Sequence, residues 1–148
     1  MKRVSLVFLG GGLGAVLRAV LITATAPWAG AFPLGVLTAN LLGAVALGAV
    51  YIAADEMQLL GSGARLFLAV GLLGGFTTFS TFALGANDLV SSGTPGSGSL
   101  YLSVSVVGGV VAVGAGMVLM RVAARRWIVH AQEPTALDDG QPDEVETY

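Results

Sequence analysis

The residues able to do chemistry in this chain of 148 residues are concentrated in one string, Gly71-Leu72-Leu73-Gly74-Gly75-Phe76-Thr77-Thr78-Phe79-Ser80-Thr81-Phe82. Thr77, Thr78, Ser80 and Thr81 place four hydroxyls within five residues. Gly74-Gly75 followed by two β-branched threonines is a poor helix sequence. A helix break at membrane depth leaves carbonyls and amides without partners, and it is tolerated only where the backbone is buried in protein or lines a cavity. Freed carbonyls can ligate a small hard cation, and the hydroxyls can donate to an anion. The competing reading is that each hydroxyl bonds its own helix four residues back. Phe76, Phe79 and Phe82 recur every three residues. Such a stripe serves ordinary packing, or it turns electropositive ring edges toward an anion in a place too dry for fixed charge.

Two further polar groups stand among apolar neighbours. Arg18 sits deep in a hydrophobic run, where a charge is costly unless it snorkels, finds a partner or faces water. It reads either as a clamp on another helix's carbonyl end or as an electropositive lure for anions near a vestibule. Asn40 reads either as an interhelical hydrogen-bonding group or as a donor lining a polar path; both require its amide to point inward, because an unpaired amide in hydrocarbon is expensive.

The elements that must position these groups are membrane spans. The chain is 55% hydrophobic and 11% charged, with a mean hydropathy of +0.82, whereas a soluble domain is about a quarter charged. Four windows reach the ~20 residues needed to cross the hydrocarbon core: Val4 to Ala26, Pro33 to Ala54, Arg65 to Leu89 and Leu100 to Ala123. The predicted connections are Pro27 to Phe32, Asp55 to Ala64 and the Ser/Gly/Pro run from Val90 to Ser99. Trp28, Tyr51, Tyr101 and Trp127 fall near window ends, where amphipathic rings favour the interface. Lys2 and Arg3 ahead of an apolar run, with Ala24-Thr25-Ala26 behind it, resemble a cleavable leader, but the run is too long and contains Arg18.

Lys2, Arg3, Arg65, Arg121, Arg125 and Arg126 all fall on one side of this arrangement, and the opposite loops carry no Lys or Arg. The positive-inside rule makes that side, with both termini, cytoplasmic. The stretch 127–148 follows the four-helix domain of residues 1–126 and reads as an acidic, solvated tail. The chain lacks cysteine and has one histidine, His130, so thiolate metal sites, disulfides and a Ser/His/Asp constellation in the spans are excluded. An enzyme is not expected.

These residues, taken in order, resemble the fluoride-specific ion channels of bacteria, the Fluc or CrcB family. Gly10-Gly11-Gly12-Leu13-Gly14-Ala15-Val16-Leu17-Arg18 is similar to that family's glycine-rich first helix, and Gly35-Val36-Leu37-Thr38-Ala39-Asn40-Leu41-Leu42-Gly43 to its second. Gly74 to Phe82 is close to its most specific signature. The resemblance implies four transmembrane helices with a broken third, a dual-topology antiparallel dimer in the bacterial inner membrane, and two pores carrying fluoride passively out of the cytoplasm. It implies a structural sodium ion at the dimer centre, held by the backbone carbonyls of Gly74 and Thr77. It assigns Asn40, Phe79, Ser80, Thr81, Phe82, Tyr101 and Ser105 to the fluoride path, with Arg18 as a vestibule or structural charge. Gly109 stands where many relatives have serine, and Ala19 where many have an aromatic residue.

The charge bias adds an expectation of its own. An antiparallel homodimer needs a chain that inserts both ways, whereas six basic residues against none favour one orientation. The chain is therefore expected to pair with an oppositely oriented homologue. Two other readings compete. A small multidrug or cation exporter needs a carboxylate within a helix, and the first span has none; a non-transporting scaffold leaves the hydroxyl-rich break unexplained.

Overall fold

The computed structural model of the chain describes residues 2–131. The acidic stretch 132–148, and the side chains of Trp127 and His130, lie outside the described residues. Helix α1 is Lys2–Ala29, α2 is Leu34–Glu56, α3 covers 62–76, α4 is Ser80–Ser91 and α5 is Pro95–Ala131. Four segments are long and apolar enough to cross a membrane: α1, α2, the α3–α4 pair (Ser62–Ser91) and Pro95–Arg126. The protein is an all-α, multi-pass membrane protein. Phe8, Val20, Val110 and Leu119 stand exposed on its surface, as suits a chain whose outer side chains meet lipid rather than water.

The helices are longer than hydropathy predicts and the connections shorter. Hydropathy opens the first connection at Pro27, but α1 runs through it to Ala29 and ends at Gly30, whose φ of +54° suits a C-terminal glycine. The Ser/Gly/Pro run, expected to be a loop, is largely helical. Pro95 starts α5, where its missing N–H costs nothing, and Gly98 is buried against Val90. Only a tight turn remains, with Gly93 at φ +82° and the Thr94 hydroxyl donating to the Leu89 carbonyl at 2.8 Å. At the other end, Arg65 pairs with Asp55 at 2.6 Å, and Arg121 grips both carboxylate oxygens of Glu56. These pairs tie the end of α2 to α3 and α5. Being exposed, they contribute little stability.

Glycine brings the backbones together. Gly10 and Gly14 of α1 face Gly71 and Gly75 of α3. A Cβ on Gly14 would lie 2.7 Å from the Phe76 nitrogen and overlap the Leu72 carbonyl, and one on Gly75 would overlap Gly11. On the other side of α2, Gly48 meets the Val113 carbonyl of α5, and Gly116 meets that of Val45. Small residues four apart thus work as packing pairs. Along the stretch that α1 approaches, Leu66–Leu73 widens from α- to π-helical winding, a feature frequent at functional sites.

Close packing of this kind makes a measurable demand. Gly14→Ala is expected to destabilise the protein by about 1–3 kcal/mol through overpacking. Gly12→Ala, with no atom within 4 Å of the new Cβ, should stay within about 0.5 kcal/mol of the parent. Thermal unfolding in detergent measures both, and equal melting of the two variants would mean that α1 and α3 are not in backbone contact.

Candidate functional site

The third span breaks at Thr77-Thr78-Phe79, not at the glycine pair. Gly74–Phe76 is still helical, and Thr77 then turns extended, with φ −83° and ψ 158°. The Thr77 N–H makes the last bond of the ladder, to the Leu73 carbonyl at 3.0 Å. The next amide leaves it: the Thr78 N–H donates to Asn40 Oδ1 at 2.8 Å, and Asn40 Nδ2 donates to the Thr78 carbonyl at 3.0 Å. Of the two readings of Asn40, the interhelical hydrogen bond is present, from α2 to the broken backbone.

The carbonyls of Gly74 and Thr77 are among those that lose their helical partners at the break. In a continuous helix the Gly74 carbonyl would receive the Thr78 N–H, which Asn40 takes. The Thr77 carbonyl would receive the Thr81 N–H, which instead donates to Thr78 Oγ1 at 3.3 Å. Gly74 and Thr77 line one hollow of about 260 Å³ together with Asn40, Gly43, Ala44 and Leu73. Gly74 is exposed there, with nothing within 4 Å of the position a Cβ would take. Neutral carbonyl oxygens suit a hard cation. A pair of them fits part of such a shell and needs ligands from elsewhere to complete it. Among the described residues no group of His, Cys, Asp or Glu could hold a metal.

The hydroxyls divide. Thr77 Oγ1 bonds back to the Leu73 carbonyl at 2.9 Å, as a helical threonine commonly does. Thr78, Ser80 and Thr81 do not follow it. Thr78, only 8% exposed, is the hub: its Oγ1 lies 3.1 Å from Thr81 Oγ1 and 3.4 Å from Ser80 Oγ. Ser80 is exposed and Thr81 half-buried.

An aromatic row leads away from this cluster. Phe79 and Phe82 have ring centroids 5.7 Å apart, Phe82 and Tyr101 5.4 Å, and Tyr101 meets Phe32 edge-on at 5.5 Å. Phe79 is 80% exposed, whereas Tyr101 is fully buried, so its ring does not turn toward lipid as that of an interfacial belt residue does. Contact with Phe32, Phe82 and the α4 core carries it inward. The Tyr101 hydroxyl and Ser105 Oγ, one turn apart on α5, are buried and have no hydrogen-bond partner among the described residues. Buried polar atoms in that state are uncommon and call for a functional reason. Arg18 is half-buried and takes no carbonyl or carboxylate partner among the described residues, so of its two readings the carbonyl clamp is not formed there.

Sequence reasoning brings Asn40, Gly74, Thr77, Phe79, Ser80, Thr81, Phe82, Tyr101 and Ser105 forward, and the fold gathers them around the break and its aromatic row. It misses Thr78 as the hub, though Thr78 lies in the string, and Phe32, which carries no signal because it sits in a connection.

Comparison with known proteins gives a consistent result. Residues 5–117 match the family described as CrcB-like protein, Camphor Resistance (CrcB). The chain is 39% identical over 121 residues to the fluoride-specific ion channel FluC of Methylobacterium nodulans, covering 82% of this chain and 98% of that protein. It is 42% identical over 126 residues to the FluC of Novosphingobium aromaticivorans, with the same coverage of 82% and 98%. With the FluC of Phocaeicola vulgatus it shares 40% over 118 residues, which is 79% of this chain and 97% of that one.

The unpartnered Tyr101 hydroxyl makes a direct test of the site's geometry. Tyr101→Phe removes a buried, unbonded polar atom, so it should melt at or above the parent's temperature in detergent, by up to about 1–3 kcal/mol. A clear loss of stability would mean that the hydroxyl is bonded in the folded protein.

Proposed function

The chain belongs to the CrcB-like family, and from that membership we propose that it is a passive fluoride-selective channel, exporting cytoplasmic fluoride and so reducing its toxicity. Hydrogen fluoride crosses a membrane as a neutral molecule and dissociates inside, where the anion is trapped. A negative-inside potential contributes about 2.3 kcal/mol per charge per 100 mV toward exit, so a pore alone suffices.

The fluoride path runs along Phe79, Ser80, Thr81, Phe82, Tyr101 and Ser105, beside Asn40. The row of rings offers electropositive edges, and the Tyr101 and Ser105 hydroxyls are held buried and unused, free to donate to a small dehydrated anion. Such a track excludes chloride by size and by the cost of dehydration. Arg18, half-buried and without an ion-pair partner among the described residues, raises the positive potential of a vestibule.

One observation carries the assembly: the outer face of the break is uncovered in a single chain. Gly74, Phe79 and Ser80 are all exposed there, and irregular backbone cannot face lipid at membrane depth. An antiparallel second subunit covers that face and brings its own Gly74 and Thr77 carbonyls to the first pair. Sodium is the cation for this neutral set, and when bound its charge holds the facing carbonyls together. The one-sided distribution of basic residues supports both termini lying on the cytoplasmic side of a bacterial inner membrane, and the partner is then an oppositely oriented homologue.

Liposomes carrying the protein, alone and with such a partner, should release fluoride while retaining chloride, as read with ion-selective electrodes; equal release of both anions would refute a fluoride-selective channel. A topology reporter fused to the C-terminus should signal from the cytoplasm in nearly all molecules, and equal populations on the two sides would sink the heterodimer.

A further inference from the structure

We infer that Asn40 is a positioning residue for the cation site: it holds the third span open at Thr78 and thereby presents the Gly74 carbonyl, rather than committing its amide to the anion. The inference rests on the sodium reading above and extends it to a residue whose side chain supplies none of those carbonyls.

The amide of Asn40 is largely engaged. Its Oδ1 accepts the Thr78 N–H at 2.8 Å, and its Nδ2 donates to the Thr78 carbonyl at 3.0 Å, which leaves one N–H of the side chain for anything else. Both bonds go to one residue, so Asn40 acts on Thr78 as a neighbouring strand would and fixes its backbone. The helical ladder stops at Thr77 and resumes with the Ala83 N–H on the Phe79 carbonyl. Thr77 already bonds Leu73, and the next bond in sequence would run from the Thr78 N–H to the Gly74 carbonyl. With Asn40 removed, the polar backbone of Thr78 has lost both partners in a dry place, where each unmet group is costly. The nearest repair is that missing bond. It extends α3 by one residue and withdraws the Gly74 oxygen from the hollow.

A second contact from α2 aligns the same segment. Gly43, one turn below Asn40, has no side chain, and the methyl of Thr77 occupies the place where its Cβ would be. α2 therefore receives Thr77 by shape and Thr78 by hydrogen bonds, so its register against α3 sets where the break falls. A neutral amide is suited to this role because it both accepts and donates. A carboxylate at the same position accepts the Thr78 N–H but cannot donate to the Thr78 carbonyl.

The test uses the intact assembly in detergent, melted across a sodium series with N-methylglucamine replacing sodium at constant ionic strength. The parent should be stabilised by sodium. In Asn40→Ala the sodium concentration at which that stabilisation sets in should rise about ten-fold or more, as the loss of one to two net hydrogen bonds implies. Asn40→Asp, similar in size and keeping one of the two bonds, should move in the same direction, and it carries the decision if the alanine variant does not assemble. Gly12→Ala should match the parent. A parent that responds to sodium beside Asn40 variants whose response sets in at the same sodium concentration would overturn the positioning role and leave the sodium reading standing. A parent whose melting ignores sodium would remove both.

Discussion

A backbone amide or carbonyl at membrane depth has no water to turn to, and the whole third span is arranged around one residue, Thr78, that meets this condition from outside its own helix. Its N–H and its carbonyl are both bonded by Asn40. One side chain thus replaces two rungs of the helical ladder, and the chain turns extended at Thr77 before winding again at Ser80. The rest follows by exclusion. With the Thr78 N–H engaged and the Thr81 N–H bonded to the Thr78 hydroxyl, the carbonyls of Gly74 and Thr77 are left without their helical partners in two residues that line one hollow, and the hydroxyls of Thr78, Ser80 and Thr81 gather at the start of α4.

The glycines serve this arrangement from a distance. Gly74-Gly75 looks like the natural place for a helix to fail, yet both residues remain helical, because Gly75 is pressed onto the Gly11 backbone and Gly10 and Gly14 hold the same helix further along. Tight packing carries α3 past its weakest propensity. The break falls three residues later, where β-branched threonines meet an amide able to bond their backbone. Propensity marks where a helix is easily lost; the available partners decide where it is lost.

That distinction separates what is legible in the sequence from what is not. Four spans, a broken third segment and an inward-facing Asn40 follow from hydropathy, composition and the expense of buried polar groups, all of which act locally. The continuation of α1 through Pro27 and the start of α5 at Pro95 escape a reading in which proline is a stop: at the first turn of α5 the missing N–H costs nothing, whereas Pro27 gives up its bond to the Thr23 carbonyl only two residues before α1 ends. Position along the chain puts Tyr101 at a span end and so at the interface. Only the docking of Phe32 and Phe82 on either side of its ring, a contact between distant residues, buries it. The identity of Asn40's partner is hidden for the same reason: the two residues are 38 apart in sequence, and no pattern along the chain joins them.

A single chain leaves some of these polar groups unmet. Its inner face satisfies the backbone of Thr78 completely, while Gly74, Phe79 and Ser80 look outward. Lipid can cover Phe79 but offers nothing to a carbonyl or a hydroxyl. In the proposed antiparallel pair, a two-fold axis in the membrane plane through the break would bring the carbonyls of Gly74 and Thr77 to face their own copies. The constraint that explains the Asn40–Thr78 pair within one chain is then the one that the proposed second subunit answers. Where the bilayer cannot satisfy the break, protein must, first from the neighbouring helix and, in the proposed assembly, from a second subunit.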